Sequence, residues 1–164
     1  MPAFKWGFTM IWKITTLLSV GVWATVLAAT STIAADFAPR DEAVAMVKRA
    51  VVFIQEQGEA KAYAEFSRKG GQFHDRDLYI TVLGLDGKVL AHGQRADFVG
   101  QNLIDAKDPD GKLFIKERSD LALHHASFWQ RYKFSNPTTQ RVEAKDMYCE
   151  RLGETNVCGG VYGS

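Results

Sequence analysis

The chain has 164 residues, 20 basic and 19 acidic, for a net charge of +1. So even a balance leaves no electrostatic footprint for nucleic acid. The length allows one domain with one real core and is too short for two large ones.

Residues 1–35 carry Lys5 and Lys13, no acidic residue, an apolar run from Ile14 to about Ala29, and then small residues. This is the layout of a secretory signal peptide, with the cut expected after Ala34 and Ala35 as the neighbouring alternative. The other reading is an uncleaved membrane anchor, since the apolar part approaches spanning length. Either way the remainder, residues 35–164, is expected outside the cytoplasm, periplasmic or secreted. Without the leader the domain has 18 basic residues against 19 acidic ones.

From Asp41, Val44, Val47, Val51 and Ile54 recur at three- and four-residue spacing, which predicts a helix with a buried stripe. Asp41 and Glu42 suit its positive N-terminus. Gly58 interrupts, and a second short helix presenting Tyr63 and Phe66 runs to Gly70 and Gly71. "DLYITVLGLDGKVLAHG" is two β-rich runs around Asp86-Gly87, a hairpin signal. A loop-rich segment follows, then a helix at "FIKERSDLALHH", a strand at "SFWQRYKF", a turn at "SNPTTQR" and two closing strands. The expected class is α+β: helices on one antiparallel sheet of five or six strands.

Several chemistries find no support. "DAKDPDGKLFIKE" nearly fits a calcium loop, with Asp108, Asp110 and Glu117 at positions three, five and twelve. Position one is Ala106 and Pro109 interrupts, so a tight Asp-Pro-Gly turn is expected instead. His74, His92, His124 and His125 have no zinc-like spacing with the cysteines. No CxxCH or CxxC occurs, and no serine lies in a GxSxG setting. The expectation is therefore of a protein that is not an enzyme and needs no metal or cofactor, with metal-assisted activity through His92 and the acidic loop as the remaining alternative.

Aromatics instead cluster beside polar groups in the strand segments. A sheet face carrying Tyr79, Trp129 and Tyr132, with a cation nearby, would suit a small organic anion; the equal alternative on composition is an aromatic core with Lys145 solvated at a strand end.

Across residues 40 to 162 the ordered set of motifs resembles a single Cache domain of type two. The set is Phe73, Arg76 to Tyr79, Asp86-Gly87, Ala91 to Gly93, Gly100 with Asn102, Asp108 to Lys112, Trp129 with Tyr132, Asn136-Pro137, and Lys145 with Tyr148. The resemblance implies a PAS-like fold, a long N-terminal helix on a central antiparallel sheet with a pocket on the sheet's other side. It also implies extracytoplasmic sensing of small molecules, often short carboxylates. Carried onto matching positions, the ligand-binding candidates are Phe73, Arg76, Tyr79, His92, Trp129, Tyr132, Lys145 and Tyr148. Lys145 or Arg76 would counter a carboxylate, tyrosine hydroxyls would direct it, and Trp129 would wall the apolar end.

Ala126 and Phe128 stand where the family usually has glycines, so Phe128 is expected to add bulk near the pocket mouth. No output module follows the last strand, so a membrane partner is expected: a sensor kinase, chemoreceptor or transporter. The alternative is a structural or interaction module whose pocket is filled by its own side chains, Phe128 among them.

If the closing strands turn at Gly153-Glu154, Cys149 and Cys158 face each other at a non-hydrogen-bonded pair, where Cα atoms approach to about 4.5 Å. Export favours a disulfide there. Its expected role is a staple for the hairpin that carries Lys145 and Tyr148.

Overall fold

A computed structural model describes residues 37–163, so the expected leader and its cut lie outside the described residues. Helix α1 (Arg40–Gln57) is followed directly by α2 (Glu59–Phe66). Gly58 separates them at φ +78° while its N–H closes on Ile54 O at 2.9 Å. That left-handed backbone is cheap only for glycine, which is why the helix stops there. The buried face of α1 is Ala43, Met46, Val47, Ala50 and Ile54, with Val44 and Val51 only partly covered. The expected valine stripe is thus rotated toward small residues, because alanines let the helix approach the sheet closely.

The strands are β1 (His74–Asp75), β2 (Leu78–Gly84), β3 (Val89–His92), β4 (Ser127–Ser135), β5 (Val142–Leu152) and β6 (Thr155–Tyr162). All pair antiparallel in the order β1-β2-β6-β5-β4, with β3 also on β2. The last strand therefore lies in the middle, between β2 and β5. In the β2–β3 hairpin only Gly87 takes positive φ (+87°), and a side chain there would collide with Ile104. Between β3 and β4 run a short 3-10 turn (Ala96–Phe98) and helix α3 (Phe114–His124).

Both faces of the sheet are covered. Helices α1 and α2 bury Leu78, Ile80, Val82, Val157 and Val161 on one side. On the other, α3 and the 96–113 segment cover Leu83, Val89, Met147 and both cysteines. Two-sided burial explains why β2 is buried at six successive positions rather than at alternate ones.

The Asp108 turn is held by backbone amides. Its carboxylate accepts from Asp110 N, Lys112 N and Lys133 N, each at 3.0 Å, and these bonds hold its pKa below the usual carboxylate range. The acidic segment spends its lone pairs on the turn, as its Asp-Pro-Gly composition suggested.

Cys149 pairs with Cys158 in register and forms the disulfide, with Cα atoms 4.1 Å apart. Gly153 turns the hairpin at φ +59°. Both cysteines are fully buried under α3. The loop is short, so replacing both by alanine should cost at most about 2 to 3 kcal/mol. A thermal melt of that double variant checks the staple, and an unchanged melting temperature would remove the role.

Phe128 does not stand at a pocket mouth. It lies opposite Cys149 and packs into the cluster around the disulfide.

Candidate ligand-binding pocket

Between the sheet and α3 lies a small cavity, with the space of about two waters. Strand periodicity selects its walls. Side chains two residues apart share a face, so Tyr79, Thr81 and Leu83 of β2 look toward α3 together with Tyr132 and Phe134 of β4 and Met147 of β5. From β3 comes His92, and from α3 come Phe114, Ile115 and Arg118. Phe114 stacks on Tyr132 with ring centroids 4.6 Å apart and planes within 5°.

Arg118 is the one arginine in this wall, and it is 2% exposed. Its Nε donates to Gln130 Oε1 at 3.0 Å, and its guanidinium lies 5.3 Å from the Tyr132 ring centroid. Gln130 is anchored in turn by donating to Phe114 O at 2.8 Å and Glu117 Oε2 at 2.6 Å. Nη2 of Arg118 is buried without a hydrogen-bond partner, as is Thr81 Oγ1 in the facing wall. An orphaned guanidinium nitrogen beside a cavity is costly unless something enters to meet it.

Lys145, on the same face as Met147, is fully buried. Its Nζ lies 3.9 Å from the Tyr79 ring centroid and 4.7 Å from that of Tyr162, and it has no hydrogen-bond partner. It sits behind the Tyr79 ring rather than in the cavity wall. Gly160 makes its room, since a Cβ there would come within 2.5 Å of Lys145 Cε. Burial pushes the lysine pKa well below its ordinary value, Arg118 adds repulsion, and Asp77 pulls the other way. Burial also raises the Tyr79 and Tyr162 hydroxyls, so both are neutral donors at ordinary pH.

His92 Nδ1 accepts from Arg95 N at 2.9 Å and Gln94 N at 3.2 Å, which leaves Nε2 to carry the proton of the neutral ring. Burial, and then the basic groups Lys145, Arg95 and Arg118, lower its pKa to about 3. The unfolded chain, with an ordinary histidine near 6.5, takes up a proton that the folded chain refuses. Stability from this site is therefore complete above pH 6.5 and is lost as the pH falls from there toward 3. Urea titrations across that window should show stability falling with a slope approaching one proton, and His92→Gln should flatten it. An unchanged slope in the variant would show that His92 is not the group responsible.

Of the residues expected at the site, the structure brings Tyr79, His92 and Tyr132 into the cavity wall and Lys145 directly behind it. Phe73, Trp129 and Tyr148 lie on the opposite face, within the α1–α2 core. Phe73 packs on Phe66 and Phe53, and Trp129 packs on Tyr148 beneath the Arg40 guanidinium. Trp129 is three residues from Tyr132, and Tyr148 three from Lys145, and an odd spacing on a strand reverses the face. The expectation of one face carrying Tyr79, Trp129 and Tyr132 is corrected on that ground. Arg76 is also elsewhere: it turns β1 into β2 at φ +56° and pairs with Glu42 of α1 and with Asp75 at 2.8 Å.

The cavity wall also holds Arg118 and Thr81, which the motif pattern does not single out. A signal for Arg118 was present, because it falls within the three- and four-residue spacing of Phe114, Ser119 and Ala122, the stripe that α3 buries. A cation on an apolar stripe marks either a buried pair or a binding group.

A family model described as Single Cache domain 2 matches residues 42–161. Three solved structures resemble the chain. A methyl-accepting chemotaxis protein from Vibrio parahaemolyticus RIMD 2210633 is 20% identical with a TM-score of 0.64, over 74% of this chain and 86% of that one. A Cache chemosensory domain described for carboxylic acid recognition is 19% identical with a TM-score of 0.66, over 76% and 92%. The periplasmic sensor domain of a chemotaxis protein is 19% identical with a TM-score of 0.59, over 76% and 90%. No curated protein matches the chain.

Proposed function

Because the chain belongs to the single Cache domain type 2 family, we propose that it is an extracytoplasmic sensory domain whose α3-side cavity binds a small organic anion. One observation carries this reading: the buried, unpartnered Arg118 Nη2 at the cavity wall, with Thr81 Oγ1 opposite and Lys145 one ring behind. A carboxylate would accept from Arg118 and Thr81, with His92 Nε2 as a further donor. The apolar end would rest on Phe114, Tyr132 and Phe134. A structural neighbour that recognises carboxylic acids supports the same ligand class. The small volume favours acids of two or three carbons.

Neighbouring folds from chemotaxis proteins support a membrane-bound signalling partner, a chemoreceptor foremost. Among the described residues no helix is long and apolar enough to cross a membrane.

The second reading is a structural module whose pocket is filled by its own side chains, and the small cavity favours it. The orphaned atoms that converge on the cavity, a guanidinium nitrogen among them, weigh against it, although Tyr63 Oη and both amide atoms of Asn156 are also buried without partners away from it. A thermal-shift screen of short mono- and dicarboxylates separates the two. Ligand at about a hundredfold over its Kd should add roughly 2.7 kcal/mol of stability. A well-folded protein shifted by none of the acids would overturn the sensing proposal.

A further inference from the structure

Two basic side chains, Arg118 and Lys145, approach this cavity, and among the described residues no carboxylate bonds to Lys145 Nζ. Asp77 is the acidic group near Lys145; its Oδ1 accepts Ala38 N and its Oδ2 accepts Tyr162 N, both at 2.7 Å, so its charge acts on the amine through space and offsets the burial only in part. Glu117 is engaged by Gln130 and Lys112. From every element packed around it, Lys145 meets groups that cannot neutralise an ammonium: the Tyr79 ring from β2, the Tyr162 ring from β6, Tyr132 as its register partner on β4, His92 from β3 and Arg118 from α3.

We infer that this pocket binds a proton together with its organic anion, and that Lys145 Nζ receives the proton. The inference rests on the anion reading above. In the empty pocket the amine is fully buried, faces only aromatic rings and lies in the field of a guanidinium, so the neutral –NH2 form is favoured. The depressed lysine pKa agrees with that geometry. An anion entering beside Arg118 reverses the local field at close range and low dielectric. The amine then takes one proton from solvent, and –NH2 plus H⁺ plus the carboxylate becomes an ammonium–carboxylate pair separated by the Tyr79 ring. No other bond forms or breaks. The net species bound is the acid rather than its conjugate base, which would make the domain respond to both acid concentration and pH.

Proton uptake on binding makes affinity fall as pH rises, by up to tenfold per pH unit, between the pKa of Lys145 in the empty pocket and its higher value in the complex. His92 cannot give this dependence near neutrality, since it titrates at about 3.

The test is isothermal titration of sodium acetate, and separately of sodium propionate, into the full chain near pH 8. Phosphate and Tris buffers, which differ in ionisation enthalpy, report the protons exchanged. The expected result is proton uptake on binding, at most one per anion, with affinity that weakens as the pH is raised from 7 to 8. Lys145→Met should bind without uptake and with a flat pH profile, and the wild-type buffer comparison stands whether or not that variant folds. Binding with no proton exchange and no pH dependence would overturn this inference and leave the anion reading intact. No binding of acetate, propionate or any acid in the thermal-shift screen would remove both.

Discussion

Asp77→Asn should destabilise the domain by about 3 kcal/mol, a large share of the 5 to 15 kcal/mol that holds most domains together. Asp77 is fully buried, and each of its oxygens accepts one backbone N–H at 2.7 Å. One donor, Ala38 N, lies just before α1, and the other, Tyr162 N, is in β6, 85 residues further along the chain than Asp77. A single carboxylate thus ties the approach to the first helix to the end of the central strand. Asparagine keeps the shape but offers one acceptor and one amide NH2, so one backbone N–H would face another donor in a dry site. Charge-assisted bonds are the strong ones, and an unmet buried donor adds its desolvation cost. Urea denaturation measures the effect, and a midpoint equal to that of the wild type would refute the clasp. The same change removes a negative charge near Lys145, so it should also deepen the depression of that lysine.

Arg118→Met should weaken carboxylate binding about a hundredfold, a loss near 2.7 kcal/mol, while the fold survives. Methionine keeps an apolar stem near the Phe114 and Tyr132 rings and removes the guanidinium. Gln130 loses one bond but keeps its donations to Phe114 O and Glu117. Removing an unpaired buried charge offsets part of that loss. The dissociation constant for the best acid in the thermal-shift screen, with a melting curve as control, decides the matter. Affinity within threefold of wild type would mean that Arg118 is not the anchor.

Most of the fold could be read from residues because local chemistry dictates it. Gly58 had to break the first helix, Asp86-Gly87 had to turn, and Gly153-Glu154 set a register that placed Cys149 against Cys158. Each depends on dihedral preferences or on period-two pairing, which act within a few positions. The site was legible only in part. Tyr79, His92 and Tyr132 line one cavity with Lys145 behind Tyr79, whereas Phe73, Trp129 and Tyr148 share the motif but face α1. A motif records that positions matter without recording whether they serve the core or the cavity. Strand parity could have separated Trp129 from Tyr132, and Tyr148 from Lys145.

By itself the sequence determined the α+β order, the hairpins, the disulfide partners and the kind of chemistry present, because these follow from short-range propensities and charge. Only the tertiary structure decided that β6 runs down the middle of the sheet, that α3 closes one face, and that Arg118 meets Thr81 and Tyr79 across a cavity. It alone decided that Asp77 bonds two backbone amides near Lys145 without touching its Nζ, which is left buried with no hydrogen-bonded partner. Such pairings join residues dozens of positions apart, and the cost of an unmatched buried charge exists only once the chain has excluded water around it.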